Sequence, residues 1–386
     1  MTKFSWRRYV RMLHLYLGLF LGAVFVLLGL TGSFLVFYPE IDRWLNPALV
    51  HQQPLQPNAA IQTWFDQLHE QFPERQGAWR IELPRQADQV VFARYLKPEE
   101  RDPNEFSPIV VALDPSSGAV LSTRIWGEYL VTWMYDLHYS LLMGQSGKAW
   151  VSVFGIALIV SVILGLCLWV PRGKHRLTKA MPKVRNGSKK AVYDIHSYAG
   201  AYGAAWLLLI AVTGVGLATP HWLEPMVNRM SVRWDMQTVP SVVPLPDAKR
   251  ISADQAVSLA LTHFPNAKLR WIEAPVKPED AYVLRLQQAG EPSERFPKTF
   301  VWVDPFAAQV LASRDPLKLG AADVFFDWLH PLHNGEAFGR TGRILAVITG
   351  CLPLVLMLTG WLRWRQKNHA QKLGANGRRH QHPPVD

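Results

Sequence analysis

Residues 195–214, "IHSYAGAYGAAWLLLIAVTG", repeat the pattern of residues 13–32, "LHLYLGLFLGAVFVLLGLTG". In each stretch a histidine is followed by a glycine four positions later and by a Thr-Gly pair 17 and 18 positions later. Each stretch is apolar and has about the 20 residues needed to cross a bilayer. Two copies of one pattern predict a tandem repeat of membrane spans.

The rest of the chain repeats in the same way. Residues 137–148, "LHYSLLMGQSGK", and 332–343, "LHNGEAFGRTGR", both place a histidine six and nine positions before glycines and ten before a basic residue. Residues 110–124, "VVALDPSSGAVLSTR", match 300–314, "FVWVDPFAAQVLASR". Alternating apolar residues and Asp-Pro turns indicate antiparallel strands. Each half is therefore predicted to consist of a membrane span, an α+β lobe, a histidine segment and a second span, in that order.

The composition agrees with spans joined to aqueous domains. The chain is 49% hydrophobic and 18% charged, but its mean hydropathy of +0.02 is too low for a protein buried wholly in lipid. We interpret the first span as a retained anchor, because it is too long for a signal peptide and no small-residue cleavage site follows it. The predicted spans are 13–37, 149–170, 198–219 and 344–362.

Charge predicts the orientation of the spans. Residues 172–190 hold eight basic residues and no acidic one, and the segments before the first span and after the last are also basic. Short cytoplasmic loops collect Lys and Arg, so both termini are expected in the cytoplasm. The net charge of +11 is then a topology signal, and we expect no nucleic-acid partner.

These patterns predict an integral membrane α-helical fold, a four-helix transmembrane bundle built as a tandem repeat of two halves and carrying two α+β outer domains. The predicted segments are 1–39 (cytoplasmic end and first span), 40–130 (first outer domain), 131–171 (histidine segment and second span), 172–192 (basic cytoplasmic loop), 193–220 (third span), 221–324 (second outer domain), 325–364 (histidine segment and fourth span) and 365–386 (cytoplasmic tail).

Four histidines at the ends of the spans are candidate metal ligands. An ionisable residue in a membrane segment is costly, so a functional role is the default hypothesis. The repeat would bring His14 and His196 together near the cytoplasmic face, and His138 and His333 together near the outer face. Two imidazoles and no cysteine ligand suit a six-coordinate b-type haem, so two haem b groups are expected. Imidazole also binds zinc or copper, although zinc requires more ligands. His330 is the backup for His333.

Glycines lie in line with these histidines along the helices. At about 100° per residue, Gly32 and Gly214 return to the face of His14 and His196, and Gly18 and Gly200 lie close to it. Close helix packing explains such a stripe. Space for a flat macrocycle explains it equally well.

The histidine motifs, the Asp-Pro turns and the order of spans and lobes resemble the PepSY-associated transmembrane proteins, and most of all the siderophore-iron reductases of the FoxB type. The resemblance implies a dihaem protein of the bacterial inner membrane with two periplasmic PepSY-like domains that reduces ferric siderophores. One departure is Asp304-Pro-Phe-Ala-Ala, where the pattern favours a glycine turn as in Asp114-Pro-Ser-Ser-Gly.

The function expected from this reading is transmembrane electron transfer. No dinucleotide fingerprint is present, so the donor must be external, a reductase or a quinol. The candidates to contact the substrate at the outer surface are Trp126, Trp133, His221, Phe325 and Trp328. Two alternatives stay open: a membrane-anchored peptidase regulator or sensor acting through its PepSY lobes, and a dihaem quinol-linked cytochrome with another acceptor.

Overall fold

The computed structural model describes residues 6–50, 59–86, 88–102, 106–170, 188–235, 239–244 and 248–379. Most of the predicted basic loop, 172–192, lies outside the described residues, as does the end of the predicted tail. The chain divides into two compact units. The helical unit comprises Met1–Val36, Ala149–Ala218 and Leu332–Asp386, and the sheet unit comprises Phe37–Lys148 and Thr219–Pro331.

The described helices agree with the expected number of spans. Four of them are long and apolar enough to cross a membrane, as the hydropathy pattern predicted. The helices are α1 (Trp6–Val36), α2 (Tyr38–Leu45), α3 (Ile61–Gln71), α4 (Leu130–Ser140), α5 (Gly144–Trp169), α6 (Ser188–Ala218), α7 (Pro220–Val227), α8 (Ala253–His263), α9 (Ala321–His333) and α10 (Gly339–Arg379). The four candidate spans are α1, α5, α6 and α10, and three of them extend well beyond their predicted apolar segments.

Glycines allow the helices of the helical unit to approach closely. A Cβ added to Gly29 of α1 would lie 2.2 Å from the carbonyl oxygen of Gly350 in α10. Beside this contact Ser33 Oγ donates to the carbonyl of Val347 at 3.0 Å. Small residues and interhelical hydrogen bonds are the usual means of helix association in lipid. The α1–α10 pair therefore depends on the two glycines.

Arginines bond to exposed carbonyls where two helices end. Arg7 donates to the carbonyl of Val170, just past the end of α5, at 3.1 Å, and Arg343 donates to that of Val36 at the end of α1 at 2.8 Å. The last carbonyls of a helix have no intrahelical partner and carry partial negative charge. These arginines therefore satisfy groups that lipid could not.

The sheet unit contains one continuous antiparallel sheet of eight strands in the order β4-β3-β2-β1-β5-β6-β7-β8. The strands are β1 (Trp79–Glu82), β2 (Val91–Tyr95), β3 (Ile109–Leu113), β4 (Val120–Ile125), β5 (Lys268–Glu273), β6 (Tyr282–Gln287), β7 (Thr299–Val303) and β8 (Val310–Arg314). The sequence predicted a small antiparallel sheet in each lobe. It did not predict that β1 and β5 pair and join the two.

One face of this sheet packs on helices. Side chains alternate along each strand, so Ile81, Ala93, Ile272 and Leu284 all lie on the same face and are fully buried. They form one core with apolar residues of α3 and α8. The two helices also satisfy each other's first turn, since the Asp254 carboxylate accepts from the backbone amides of Ile61 and Gln62, and Gln62 Oε1 accepts from the amide of Ala253. The opposite face carries five of the six arginines within the strands, namely Arg80, Arg94, Arg124, Arg285 and Arg314.

The second Asp-Pro turn forms despite its lack of glycine. The Asp114 carboxylate accepts from the amides of Ser116 and Ser117, and that of Asp304 accepts from the amides of Phe306 and Ala307. Gly118 ends the first turn at φ +77°. Its counterpart Ala308 adopts φ +54°, which is unfavourable for an L-residue. The turn is therefore kept at the cost of local strain.

Candidate functional site

Three of the predicted histidines, all in the helical unit, share one arrangement. Each Nδ1 lies 2.9–3.1 Å from a backbone carbonyl oxygen on a neighbouring helix, the pairs being His14 with Ser161, His196 with Leu356 and His333 with Ile210. Because a carbonyl only accepts, Nδ1 must carry the proton and Nε2 the lone pair. A histidine that binds a metal through one nitrogen is usually fixed by such a bond from the other.

Hydroxyl groups add to this arrangement. The Thr359 hydroxyl donates to the carbonyl of Val355 at 2.6 Å, so its oxygen is free to accept from His196 Nδ1, which is 3.0 Å away. Thr213 Oγ1 lies 3.2 Å from His333 Nδ1. Both hydroxyls therefore favour the same tautomer as the carbonyls.

Glycines lie directly against these imidazole rings. A Cβ added to Gly165, Gly360 or Gly214 would lie 3.1, 3.4 or 3.0 Å from Cε1 of His14, His196 or His333. Each glycine stands four residues after the residue whose carbonyl bonds Nδ1, one helical turn further along. The carbonyl and the glycine together form a seat for the ring.

His14 and His196 come together, as the repeat predicted. Their ring centroids are 6.2 Å apart and their planes are at 72°. A metal–imidazole bond is about 2.0–2.1 Å long, and a ring nitrogen lies about 1.2 Å from the ring centre, so two imidazoles on opposite sides of one metal ion would have centroids about 6.4 Å apart. The observed spacing would allow both imidazoles to bind one metal ion.

The outer pair is divided between the two units. His333 ends α9 in the helical unit, whereas His138 lies in α4 and belongs to the sheet unit. Their association stays a prediction. His330, the backup ligand, has its ring edge-on to Phe296 with centroids 4.3 Å apart.

The glycines predicted to pack on haem have different surroundings. Gly18 has no atom within 4 Å of an added Cβ, and Gly200 has only Leu356 Cδ2, at 3.5 Å. Both positions leave room beside the helix. Gly214 instead seats the His333 ring. Gly32 lies in α1, at the position equivalent to Gly214 in the repeat.

The candidate substrate residues all lie in the sheet unit. Trp126 is only 5% exposed and donates from Nε1 to the Asp136 carboxylate at 3.0 Å, so it has a packing role. Trp133 and Trp328 are exposed at 42% and 39%. His221 is also exposed, and Phe325 packs edge-on to its neighbour Phe326.

Sequence reasoning missed the partners of the imidazoles. The carbonyls of Ser161, Ile210 and Leu356 have no signature of their own, because every residue has a carbonyl. The Thr213-Gly214 and Thr359-Gly360 pairs did provide a signal, since each marks a seat. Their role could not be assigned without knowing which helices are neighbours.

The donor set favours a large cofactor over a bare metal ion. In the part of the chain that the structure describes, no group of three or more His, Cys, Asp or Glu side chains could hold a metal ion. A structural zinc site needs four protein ligands and a catalytic one needs three. Two seated imidazoles with adjacent open glycine positions fit a haem, whose macrocycle supplies the other four ligands.

The fold and this site define a helical membrane protein with an attached antiparallel sheet unit and with histidine rings bonded to backbone carbonyls of neighbouring helices. The chain matches the family described as the PepSY-associated TM region over residues 11–367. It therefore belongs to that family. The chain is also 28% identical over 134 residues to an uncharacterized protein of Pseudomonas aeruginosa. That similarity covers 32% of this chain and only 33% of the relative.

Proposed function

We propose that this protein is a dihaem b-type oxidoreductase that passes electrons across the bacterial inner membrane to ferric siderophores and releases Fe(II). The observation that supports this most is the His14–His196 pair, with its spacing of 6.2 Å and with each Nδ1 held by a carbonyl. Haem b, when bound, supplies a carrier that gains and loses one electron without binding oxygen.

The chain's own residues have the task of holding and shielding that group. The carbonyls of Ser161 and Leu356 fix the tautomer and orientation of the inner imidazoles. The open positions at Gly18 and Gly200 leave room for a flat ring system. Both imidazoles are partly buried, which limits their contact with water.

Two levels of histidines suit the thickness of a membrane. The hydrocarbon core is about 30 Å thick, which is too far for one electron transfer step, so a second carrier held by His138 and His333 would divide the path. The carbonyl bonded to His333 Nδ1 supports His333 as a ligand. By the positive-inside rule, the basic segments favour a cytoplasmic position for the His14–His196 level.

The proposed reaction moves one electron and breaks no covalent bond. An external reductase or a quinol gives up the electron, and the Fe(III) of the siderophore accepts it and becomes Fe(II). Hard oxygen ligands prefer the ferric ion, so reduction weakens their hold on the metal. The exposed Trp133, His221 and Trp328 are the candidate contacts for the acceptor.

The test is the visible spectrum of the purified protein with its haem stoichiometry. We expect two haems per chain, one lost in His14→Ala or His196→Ala and the other in His138→Ala or His333→Ala. His330→Ala and His221→Ala are the controls and should keep both. A protein that contains no haem would overturn the proposal and leave a regulatory role for the sheet unit.

A second measurement tests the acceptor. Mixing the dithionite-reduced protein with ferric siderophores in a stopped-flow instrument should reoxidise it. Two haems without reoxidation by any ferric siderophore would contradict the reductase assignment and favour a quinol-linked cytochrome with another acceptor.

A further inference from the structure

The arginine-rich face of the sheet shows a regular pattern of ion pairs. Four arginines on it have a carboxylate at bonding distance, the pairs being Arg80 with Glu273, Arg94 with Glu82, Arg124 with Asp42 and Arg314 with Asp327. Partly buried charges usually require such partners. The face is therefore neutralised pair by pair at these positions.

Arg285, near the middle of the face, departs from this pattern. In the described part of the chain no carboxylate oxygen lies within 4.0 Å of its guanidinium, and its buried Nε has no hydrogen-bond partner. The acids that act on it, Glu273 and Glu82, are already bonded to Arg80 and Arg94. Arg285 thus carries a charge without a counter-ion.

A difference between the two lobes explains this imbalance. Arg285 pairs with Trp271 across β5–β6, as Arg94 pairs with Arg80 across β1–β2. The second lobe therefore has Trp271 where the first has Arg80. In the first lobe, Glu82 forms an ion pair with Arg94. Glu273, the equivalent residue of the second lobe, lies directly opposite Arg80 and forms an ion pair with it. Three arginines share two carboxylates.

Aromatic rings hold Arg285 in place. Its guanidinium carbon lies 4.7 Å from the centroid of Trp271 and 4.4 Å from that of Phe300. Burial, with Arg80 nearby, lowers the pKa of Arg285 to about 10, so it stays charged at neutral pH. Arg270 lies at the adjacent bulge of β5, and its buried Nε also has no hydrogen-bond partner.

We propose that Arg285 forms a binding subsite for a small carboxylate anion on this face of the sheet unit. A planar guanidinium offers a carboxylate two parallel N–H donors. Here stacking on two rings orients the donors in advance, which lowers the cost of binding. The anion supplies the charge that the first lobe obtains from Glu82. The subsite does not depend on haem and goes beyond the proposed electron transfer.

Titration calorimetry of the full-length protein in nanodiscs tests the proposal, with citrate and ferric citrate as the probes. We expect both to bind, and Arg285→Gln to weaken binding about tenfold or more, as expected for a lost charge-assisted hydrogen bond. Binding of citrate alone would assign the subsite to a free organic acid. Binding of ferric citrate alone would assign it to a metal chelate.

The matched control removes another arginine of this face together with its carboxylate. The double variant Arg124→Gln/Asp42→Asn should bind both probes as the native protein does. Equal loss in the control and in Arg285→Gln would overturn the proposal, because binding would then reflect general charge. Absence of binding by either probe would also overturn it.

Thermal unfolding measurements show whether loss of binding results from loss of the fold. Because Arg285 is partly buried and has no carboxylate of its own, the Arg285→Met variant should unfold at the native temperature or above it, and citrate should no longer raise that temperature. A lower unfolding temperature with an unchanged citrate effect would show that Arg285 serves only the fold. Neither the calorimetry nor the unfolding measurement depends on haem content or electron transfer. Failure of the anion subsite can therefore be distinguished from failure of the proposed electron-transfer function.

Discussion

Ile81 and Ile272 lie directly opposite each other across the strand pair that joins the two lobes. Both are fully buried, and they occupy equivalent positions in the motifs "WRIELP" and "RWIEAP". The approximate twofold relationship between the lobes therefore passes through this pair. The Arg80–Glu273 bond beside it, at 2.7 Å, is the only one of the central ion pairs described above that links the two lobes.

Ile272→Ala should destabilise the sheet unit. Removing a fully buried isoleucine side chain costs about 2–5 kcal/mol, and here it also opens the junction between β1 and β5. Chemical or thermal unfolding of the purified protein measures the change. Val276→Ala, at a side chain 39% exposed, is the control and should change stability by less than about 0.5 kcal/mol.

Ala308→Gly should stabilise the sheet unit. Ala308 has φ +54°, a conformation that glycine adopts without a steric cost, and we expect a gain of about 0.5–1 kcal/mol. Gly118→Ala is the matched change at the equivalent turn. It should lose a similar amount, since the added Cβ would lie 3.2 Å from Gln67 Cγ. We therefore expect the two substitutions to change the free energy of unfolding in opposite directions. A destabilised Ala308→Gly variant would show that the backbone at Ala308 is not strained.

Larger side chains at the ring-seating glycines should displace the histidines. A Cβ at Gly165 would lie 3.1 Å from His14 Cε1, and one at Gly360 would lie 3.4 Å from His196 Cε1. We expect Gly165→Ala to lower haem content at the inner level more than Gly360→Ala does. Val153→Ala, at a side chain 44% exposed on the same helix as Gly165, is the control and should keep the native haem content. A pyridine haemochrome assay measures the number of haems per chain. Native haem content in both Gly165→Ala and Gly360→Ala would show that these glycines do not position the histidine rings.

Thr359→Val should alter the electronic character of His196 while keeping its position. The variant loses the hydroxyl oxygen 3.0 Å from Nδ1 but retains the carbonyl of Leu356. Without the Thr359 oxygen the hydrogen bond from Nδ1–H is weaker, so the imidazole donates less electron density to the metal. The reduction potential of the inner haem should therefore rise. A tenfold change in relative affinity corresponds to about 59 mV for one electron, and we expect a shift no larger than that. Thr349→Val, a buried change elsewhere on α10, should leave a potentiometric titration unchanged.

Gly350→Leu should disrupt the pairing of α1 with α10. An added Cβ would lie 2.2 Å from Ser33 Oγ and 2.5 Å from the Gly29 carbonyl oxygen, and backbone cannot move away cheaply. We expect a lower unfolding temperature or loss of monodisperse protein in size-exclusion chromatography. A fully folded variant would show that this crossing is not required.

The sequence alone determined the plan of the chain. Apolar stretches of spanning length gave four candidate spans, because length and hydropathy are local properties. Repeated offsets identified His14, His196, His138 and His333 as a set, since duplication preserves spacing. Asp-Pro turns and alternation identified the strands. Even the doubtful turn at Asp304 forms, because its carboxylate makes the same amide hydrogen bonds as Asp114.

Only the tertiary structure decided which groups meet. The joining of β1 to β5 depends on backbone hydrogen bonds, which any strand edge can make. The seats of His14, His196 and His333 depend on main-chain carbonyls, which carry no sequence signal. Arg285 lacks a carboxylate because Arg80, from the other lobe, lies opposite Glu273. Such pairings depend on how segments far apart in the sequence are placed in space. That placement cannot be inferred from a pattern along the sequence.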